Sequence, residues 1–365
     1  MGSTRHLRLL GDISTETIEW PVPFADGLPI LMARRGTPTV VLASGDPFWF
    51  GAGSAITRDL APSEWRAFPG SSTPSLACAR LGWARETVRA HGLHAAPFSR
   101  LRTDLAPGAK LISTLRDGDA AAALAAWLTE QGFGATRIHV MEALGGPRER
   151  IRGATAADYA LTDVAHPVIA ALEIAGDGVA LPRASGRPDA IFDNDGQITK
   201  RPVRALTLSA LAPRAGEALW DIGGGSGSIA IEWLMADPTC QAVSVERDPA
   251  RAARIRTNAA ALGQDRLKVV EGAAPDALTD LPKPDAVFVG GGLSEALLTR
   301  LFNDLPKGVR LVANAVTLES EALLALWREK RGGDLLRIEL AEAKPLGTRS
   351  GWRAAYPVVQ WSVTT

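Results

Sequence analysis

The stretch "LWDIGGGSGSIAIEW", residues 219–233, decides the fold of the second half of the chain. An apolar run that suits a buried strand passes directly into a glycine-rich turn, and a helical pattern of apolar residues follows. A strand, a tight turn and a helix in this order predict the start of a βαβ unit, with a ligand held at the turn. The identity of that ligand depends on the residues around the glycines.

Three ligand readings of the turn compete. A Walker loop requires lysine and then serine or threonine after its last glycine, whereas Ser228 and Ile229 follow Gly227, which excludes this class. A dinucleotide fingerprint requires glycine at its first, third and sixth positions. Gly223 and Gly225 fit, but the sixth position is Ser228. A nicotinamide enzyme is therefore disfavoured but stays open, as does a tight turn without a ligand.

Acidic residues at the strand ends favour S-adenosylmethionine, an adenosyl cation without phosphate. Asp221 lies two residues before Gly223, and a carboxylate there repels a pyrophosphate but attracts an ammonium group. Glu246 ends the next predicted strand, about 20 residues further on, where a carboxylate can accept hydrogen bonds from both ribose hydroxyls. Backbone around Ala273 and Ala274, after a third strand, is placed to border the adenine.

Composition bounds the class of protein. The 365 residues include 46% hydrophobic residues, 40 basic residues and 40 acidic ones, so two domains are expected and no nucleic-acid or anionic membrane partner is indicated. The two cysteines, Cys78 and Cys240, indicate neither a disulfide framework nor a zinc site. No apolar run has the length of a membrane span or a secretory signal, and we expect a soluble, cytoplasmic protein without a bound metal.

The second half alternates strand-like and helix-like segments, which predicts a mostly parallel sheet. Helix patterns separate the first five strands, and the last two should form an antiparallel pair at the sheet edge. The predicted strands are residues 217–222, 241–246, 267–272, 285–290, 309–314, 335–343 and 354–363.

The first half predicts a separate α/β domain. Strands are expected at residues 39–45, 110–115, 137–144 and 167–174, with a helix before residue 132. After the last of these strands the hydrophobic periodicity ends, and glycine, proline, aspartate and asparagine become frequent, as in a linker. The predicted division is a first domain at residues 1–180, a linker at 181–188 and a second domain at 189–365.

Longer motifs resemble two families of cobalamin biosynthesis. The second half resembles the decarboxylating precorrin methyltransferases, and the first half resembles the tetrapyrrole methylases. Their fusion in this order is similar to the decarboxylating precorrin-6Y C(5,15)-methyltransferase family. The motifs are "QITKRPVRALTLSAL", "LWDIGGGSGSIAIEW", "ERDPARAARIRTNAAALG", "EGAAPDAL" and "DAVFVGGG" in the second half, and "VLASGDPFWFGAG", "PGSSTPSLACARLGW" and "EALGGPRERI" in the first.

The resemblance implies two reactions on one corrin precursor, precorrin-6B. Two S-adenosylmethionine molecules methylate carbons 5 and 15, and the ring C acetate is decarboxylated to give precorrin-8X. The second domain would be Rossmann-like, with seven strands, and would carry out the carbon 15 methylation and the decarboxylation. The tetrapyrrole-methylase-like first domain would methylate carbon 5. A homo-oligomer formed through the second domain is also implied.

The resemblance also carries binding roles onto this sequence. In the second domain, contacts with the cofactor are implied for Thr199, Gly223, Gly224, Gly225, Ser226, Gly227, Glu246 and Ala274. In the first domain, contacts with the cofactor or the substrate are implied for Gly45, Asp46, Ser71 and Ser72. Asp221 joins this set through the charge argument above.

Two departures from the family pattern qualify these roles. Family members open with a strand and a glycine-rich cofactor loop before a segment like "GSTRHLRLL", residues 2–10, at which this chain begins. The first-domain sheet is therefore expected to lack its first strand and part of its cofactor pocket. Ala273 stands where related proteins usually have an aspartate that can form a hydrogen bond with the adenine amino group. The loss of one such bond is expected to weaken cofactor binding by about 1 kcal/mol.

A corrin precursor carries many carboxylates, so arginine and lysine clamps are expected. Lys200, Arg349 and Arg353 are the candidates: Lys200 lies in "TKRPVR", beside Arg201 and Arg204, and the other two lie in a predicted loop at residues 344–356. The glycines of residues 289–294 would leave room for a flat macrocycle. Alternatives are an enzyme that methylates carbon 15 only, with a non-catalytic first domain, and a corrinoid-binding scaffold without chemistry.

Overall fold

The computed structural model describes residues 1–365, which divide into two compact units. The N-terminal unit comprises residues 1–96 and 107–178, and the C-terminal unit comprises residues 97–106 and 179–365. A ten-residue segment from inside the predicted first domain, Pro97–Ala106, therefore belongs to the C-terminal unit. Its leucines, Leu101 and Leu105, are fully buried.

The N-terminal unit contains a five-stranded sheet in the order β1-β2-β5-β3-β4. β1 runs parallel to β2, and the other neighbouring pairs are antiparallel. The strands are β1 (Val88–Gly92), β2 (Lys110–Thr114), β3 (Arg137–Glu142), β4 (Arg150–Thr155) and β5 (Val168–Glu173). The helices are α1 (Thr4–Leu7), α2 (Gly27–Met32), α3 (Gly53–Ile56), α4 (Thr73–Leu81) and α5 (Asp119–Glu130), with 3₁₀ turns at Arg8–Leu10, Phe24–Asp26, Thr57–Asp59, Pro62–Glu64 and Arg85–Thr87.

Three of the four strands predicted in this unit are present, but residues 39–45 form no strand. The Leu42 N–H donates to the Met1 carbonyl at 2.8 Å, and the Met1 ammonium donates to the Val40 carbonyl at 2.7 Å. Both bonds connect this segment to a single residue, Met1, whereas a strand needs a ladder of hydrogen bonds to successive residues of a partner strand. β1 and β4 were missed because their exposed, charged residues interrupt the apolar pattern.

The C-terminal unit contains the predicted seven-stranded, mostly parallel sheet, in the order β11-β14-β10-β9-β6-β7-β8. Only β14 is antiparallel to its neighbours. The sheet strands are β6 (Ala218–Ile222), β7 (Gln241–Glu246), β8 (Lys268–Glu271), β9 (Ala286–Val289), β10 (Arg310–Ala315), β11 (Asp334–Ile338) and β14 (Val358–Thr364). The helices are α6 (Arg201–Leu211), α7 (Ser228–Ala236), α8 (Pro249–Ala261), α9 (Glu295–Asp304) and α10 (Leu318–Arg331), with 3₁₀ turns at Phe98–Leu101, Asp189–Ile191 and Asp276–Leu278.

The strand order reverses between β6 and β9, and this reversal positions the candidate site. From β6 the chain adds β7 and β8 on one side, and then crosses to add β9 and β10 on the other. In open α/β sheets, ligands bind beyond the carboxyl ends of the strands at such a switch point. The glycine-rich turn follows β6 directly, at this place.

Two apolar clusters build the core of this unit. One contains Leu208, Trp233 and Ile255, contributed by α6, α7 and α8. The other contains Leu297 and Trp327, contributed by α9 and α10. Both clusters also include sheet residues, which gives the helix, sheet, helix layering expected of a parallel sheet.

The predicted strand 335–343 is wrong in its second half. β11 ends at Ile338, and residues 341–346 form β12, which pairs with β13 (Arg349–Ala354) in a separate two-stranded hairpin. The predicted loop at residues 344–356 is therefore mostly this hairpin, which turns at Gly347, with φ of +61°. The alternation of small and charged residues along β12 suits an exposed ribbon better than a sheet interior, and each β12 residue is exposed.

A buried ion-pair network fastens α6 to α7. The Arg204 Nε donates to Glu232 at 2.7 Å, and its Nη2 donates to Asp189 at 2.9 Å. Glu232 also accepts the backbone N–H groups of Gly186 and Arg187 at 2.8 and 2.9 Å. The Arg204 side chain is fully buried. The structure therefore places Arg204 inside the unit, where it cannot reach a substrate from the surface.

Replacing Arg204 should destabilise the C-terminal unit strongly. Arg204→Ala leaves the Glu232 carboxylate buried without its main counter-ion, which typically costs about 3–5 kcal/mol. Denaturant unfolding of the full chain, followed by circular dichroism, measures the change. Arg214→Ala is the matched control, because Arg214 is 70% exposed in the same unit. A loss below about 1 kcal/mol for Arg204→Ala would show that the network is not a stability determinant.

Candidate cofactor-binding site

Backbone conformation explains the glycines of the turn. Gly223, Gly225 and Gly227 have φ values of +74°, +59° and +76°, which favour glycine because other residues are strained there. The N–H groups of Gly223 and Gly224 both donate to the Val245 carbonyl, at 2.9 and 3.3 Å. The turn is thus tied to β7, and Gly227 caps the start of α7.

The turn also packs against a second glycine loop, which follows β9. A Cβ on Gly223 would lie 2.6 Å from the Cα of Gly291, and the Gly290 N–H donates to the Ile222 carbonyl at 2.9 Å. A Cβ on Gly224 would lie 2.1 Å from the Ser244 hydroxyl oxygen. Side chains are therefore excluded on these sides of the turn, and the two loops form one continuous backbone surface.

Glu246 lies at the end of β7 and faces the turn. Its Oε2 accepts the Gly225 N–H at 2.9 Å, and its Oε1 accepts the Asp248 N–H at 3.0 Å. The residue is 5% exposed. Each carboxylate oxygen can accept more than one hydrogen bond, so Glu246 retains capacity for the hydroxyl groups of a ribose. These contacts fit the role predicted for it.

Asp221 lies at the end of β6, beneath the turn, and is 1% exposed. The Ser244 hydroxyl donates to its Oδ2 at 3.3 Å, and Oδ1 has no hydrogen-bond partner. Burial raises the pKa of Asp221 to about 7, and the negative charge of Glu246 contributes to the increase. The sequence argument assumed an ionised carboxylate that faces the ligand. The structure instead buries Asp221 and favours its protonated form more than that of an ordinary aspartate.

Thr199 and Ala274 lie in two segments that begin or pass near the turn and Glu246. The Thr199 carbonyl accepts a hydrogen bond from Arg204, and the nearby Gln197 carbonyl lies 3.4 Å from the position of a Cβ on Gly225. Ala274 is half-buried in the loop after β8. The first residue of that loop, Gly272, donates its N–H to the Glu246 carbonyl at 2.9 Å. The loop therefore begins beside Glu246, and its contact with adenine stays a prediction.

The predicted carboxylate clamps are exposed. Lys200 precedes α6, while Arg349 and Arg353 lie on β13. The pKa of Glu342, on β12, is lowered mainly by its hydrogen bond with Lys344 and also by the charge of Lys200. Lys200 therefore lies near the base of the hairpin that carries both arginines.

The N-terminal unit has a cavity of about 580 Å³ beside its own predicted residues. Asp46 lines this cavity, and its Oδ1 accepts the Phe48 N–H at 2.9 Å. Gly45, with φ of +55°, approaches the Ser71 carbonyl, and Ser72 caps α4 by accepting the Ser75 N–H at 3.3 Å. The four predicted residues are thus brought together, although Gly45, Ser71 and Ser72 do not line the cavity itself.

Sequence reasoning missed most of the cavity wall. Aromatic side chains and two histidines contribute to it, including Trp20, Trp49, Phe50, His6 and His94. Ser44 also lines it, and its position next to Gly45 was a usable signal. His6 lies 38 residues before Ser44 in the chain, so no local pattern connects the two.

None of the helices of the structure is long and apolar enough to cross a membrane.

Family models match both halves of the chain. Residues 190–365 match the precorrin methyltransferase domain, and residues 28–160 match the tetrapyrrole (corrin/porphyrin) methylases.

Whole-chain and partial relatives agree with these matches. A Sinorhizobium protein named precorrin-6Y C(5,15)-methyltransferase [decarboxylating] is 50% identical over 100% of this chain and 89% of its own length. A Salmonella typhimurium protein named cobalt-precorrin-6B C(15)-methyltransferase (decarboxylating) is 31% identical over 44% of this chain and 85% of its own length. The solved C-terminal domain of precorrin-6Y C5,15-methyltransferase from Rhodobacter capsulatus is 52% identical, covers 51% of this chain and 100% of its own, and has a TM-score of 0.49.

Replacing Glu246 should weaken the binding of S-adenosylmethionine to the C-terminal unit. Glu246→Ala removes the ribose acceptor, and hydrogen bonds to a charged group contribute about 1.5–3 kcal/mol each, so the dissociation constant should rise by about tenfold or more. Titration calorimetry of the full chain measures the constant.

Two further variants sharpen this experiment. Glu246→Gln keeps an acceptor for the Gly225 N–H and should lose less affinity than Glu246→Ala. Glu271→Ala is the matched control, because Glu271 ends the adjacent strand, is exposed and pairs with Arg256 at 2.8 Å. Unchanged affinity in Glu246→Ala would refute the ribose assignment.

Asp221 should make the stability of the C-terminal unit depend on pH. Its pKa is about 7 in the folded protein against 3.8 ordinarily, so unfolding releases a proton at intermediate pH. The resulting destabilisation is absent below about pH 3, grows as pH rises through 4 and reaches about 4 kcal/mol near pH 7. Asp221→Asn removes it.

Melting temperatures of the two proteins between pH 4 and pH 8 test this expectation. Asp221→Asn should become progressively more stable than the wild type as pH rises, while the exposed control Asp276→Asn should follow the wild type. A difference between Asp221→Asn and the wild type that does not change with pH would contradict the assignment.

Proposed function

The chain belongs to the family of decarboxylating precorrin-6Y C(5,15)-methyltransferases, and we propose that it methylates carbons 5 and 15 of precorrin-6B and decarboxylates the ring C acetate. It is a methyltransferase that uses S-adenosylmethionine. The observation that carries the proposal is the 50% identity to a relative of that name over the whole chain. The contacts of Glu246 with the glycine turn support it independently, because they prepare an acceptor for an adenosyl ligand.

We assign carbon 15 and the decarboxylation to the C-terminal unit. A relative named for those two reactions aligns with less than half of this chain, and the precorrin methyltransferase model matches only residues 190–365. We therefore assign the methylation of carbon 5 to the N-terminal unit, which contains the match to the tetrapyrrole methylases and the cavity beside Asp46. The product of the complete reaction is precorrin-8X.

Within the C-terminal unit, the turn from Gly223 to Gly227 would hold the methionine part of the cofactor, and Glu246 would hold its ribose. Backbone at Thr199 and Ala274 would border the remaining parts. When bound, S-adenosylmethionine supplies an electrophilic methyl group. The work of the protein is to orient the macrocycle carbon and to exclude water, because that carbon is already electron-rich.

Decarboxylation requires a place for the electron pair that the departing carboxylate leaves behind. The conjugated macrocycle can accept this pair, so the protein needs to hold the other carboxylates and desolvate the one that leaves. Lys200, Arg349 and Arg353 are our candidates for holding them. Their exposure suits a large substrate that docks from solvent, and guanidinium groups match carboxylates in bidentate geometry.

In the N-terminal unit, Gly45, Asp46, Ser71 and Ser72 would contact the cofactor or the macrocycle. The close backbone approach of Gly45 to Ser71 supports a compact binding loop there. Assembly into a homo-oligomer and a cytoplasmic location stay predictions.

Product mass after incubation with precorrin-6B and labelled S-adenosylmethionine tests the proposal. The expected product has gained two methyl groups and lost one carbon dioxide. A product with one methyl group would instead indicate a carbon 15 enzyme with a non-catalytic N-terminal unit. An unchanged substrate that still binds would indicate a corrinoid-binding scaffold, and either result would overturn the double reaction. Comparison of precorrin-6B with its cobalt complex defines which form the enzyme accepts.

A further inference from the structure

A short segment of the C-terminal unit lies against the glycine turn. This segment, residues 193–199, leads into α6, and we call it the strap. The carbonyl oxygen of Gln197, in the strap, lies 3.4 Å from the position of a Cβ on Gly225. The N–H of Gly225 donates in turn to Glu246, the proposed ribose acceptor. The strap therefore borders the surface on which we place the cofactor.

Buried side chains fix the two ends of the strap. At its start, the Asn258 side chain accepts the Asp193 N–H and donates to the carbonyls of Asp193 and Ser226, each at 2.9 Å. Asn258 is 4% exposed, and it joins the strap directly to the turn, because Ser226 belongs to the turn. At the other end, the carbonyl of Thr199 accepts a hydrogen bond from the buried Arg204.

The middle of the strap is held by charges that water reaches. The Oδ2 of Asp195 accepts a hydrogen bond from Arg251 Nε at 2.9 Å and lies 3.1 Å from Arg254 Nη1. Its Oδ1 accepts the Gln197 N–H at 3.1 Å. All three charged side chains are partly exposed. The position of Gln197 over the turn thus depends on a contact that can open without disturbing the buried ends.

One face of α8 supports the strap and the turn together. Arg251, Arg254 and Asn258 recur at helical spacing and therefore share a face of the helix. Ile255 lies between them in the sequence and is fully buried. A Cβ on Gly227 would lie 2.7 Å from its Cγ2, so that α8 packs directly against the turn. Strap and turn therefore have a common support.

The charges of this contact are firmly established. The hydrogen bond from Arg251 lowers the pKa of Asp195 to about 2, and the Gln197 N–H contributes to the decrease. The hydrogen bond with Asp195 raises the pKa of Arg251, and the negative charge of Glu246 also contributes. Asp195 and Arg251 are therefore both ionised at neutral pH, and Arg251 lies within electrostatic reach of the ribose acceptor.

We propose that Asp195 is a positioning residue for the cofactor, which acts through Arg251 and Arg254 to hold the middle of the strap against the glycine turn. The inference rests on the proposed placement of S-adenosylmethionine at this turn. With the contact closed, the Gln197 carbonyl covers Gly225 and keeps its N–H directed at the ribose acceptor. With the contact open, the turn loses this cover and the cofactor dissociates faster. The apparent affinity then falls in proportion to the fraction of molecules with a closed strap.

Asp195→Asn in the full chain tests this role. Because exposed charge pairs contribute modestly, the KM for S-adenosylmethionine in carbon 15 methylation should rise by about three- to tenfold. The release of labelled cofactor, measured in a chase with unlabelled cofactor, should accelerate by a similar factor. Glu271→Gln is the matched control, because it removes a carboxylate that pairs with Arg256 of the same helix at 2.8 Å and lies outside the strap.

Three readouts separate a positioning role from a purely structural one. In Asp195→Asn, kcat at saturating cofactor and the melting temperature should equal those of the wild type. The difference in release rate between Asp195→Asn and the wild type should shrink from about 0.05 M to about 0.5 M sodium chloride, because salt screens exposed pairs. The effects of Asp195→Asn and Arg254→Gln should not add, because both open the same contact.

Comparison with Glu246→Ala distinguishes failure of this inference from failure of the proposed site. If Glu246→Ala raises the KM and Asp195→Asn changes neither the KM nor the release rate, only the role of Asp195 is wrong. If neither variant has an effect, the placement of the cofactor at the turn is wrong, and the inference fails with it. A lower kcat and melting temperature in Asp195→Asn at unchanged KM would show that Asp195 only stabilises the fold, which would also overturn the inference.

Discussion

Two glycine loops meet at the switch point of the C-terminal sheet, and no side chain fits between them. A Cβ on Gly223 would lie 2.6 Å from the Cα of Gly291, closer than nonbonded carbon atoms approach. This contact joins the carboxyl ends of β6 and β9, the pair of strands at which the sheet changes direction. This contact fixes the position of the turn, and the position of the turn sets which of its N–H groups faces Glu246.

The two units use different means to prepare a binding site. In the C-terminal unit, strand ends bring Asp221, Glu246 and the turn to one edge of a parallel sheet. In the N-terminal unit the sheet is mixed, and an open cavity is lined by aromatic side chains and by residues of segments that are distant in the chain. The first arrangement is specified by backbone conformation, and the second is specified by side-chain packing.

This difference explains how much could be predicted from the sequence. The seven-stranded sheet, the glycine turn and the position of Glu246 follow from local spacing, which strand and helix geometry preserves. Burial of Arg204 could not be predicted, because its partner Glu232 lies 28 residues away on another helix. Similarly, the raised pKa of Asp221 depends on what covers it, and the pairing of His6 with Ser44 depends on a cavity built from distant segments. The hairpin of β12 and β13 was hidden because its alternation resembles an extension of β11.

The segment Pro97–Ala106 gives the chain a topology that a simple two-domain fusion does not have. It leaves the N-terminal unit and returns to it, so that the chain passes between the units at three points. Within the C-terminal unit, Arg100 pairs with Asp265 through two hydrogen bonds of 2.9 Å, and Gly263 lies against the Ser99 backbone. A C-terminal unit that is expressed or exchanged by itself therefore keeps all of these contacts only if it carries this ten-residue segment.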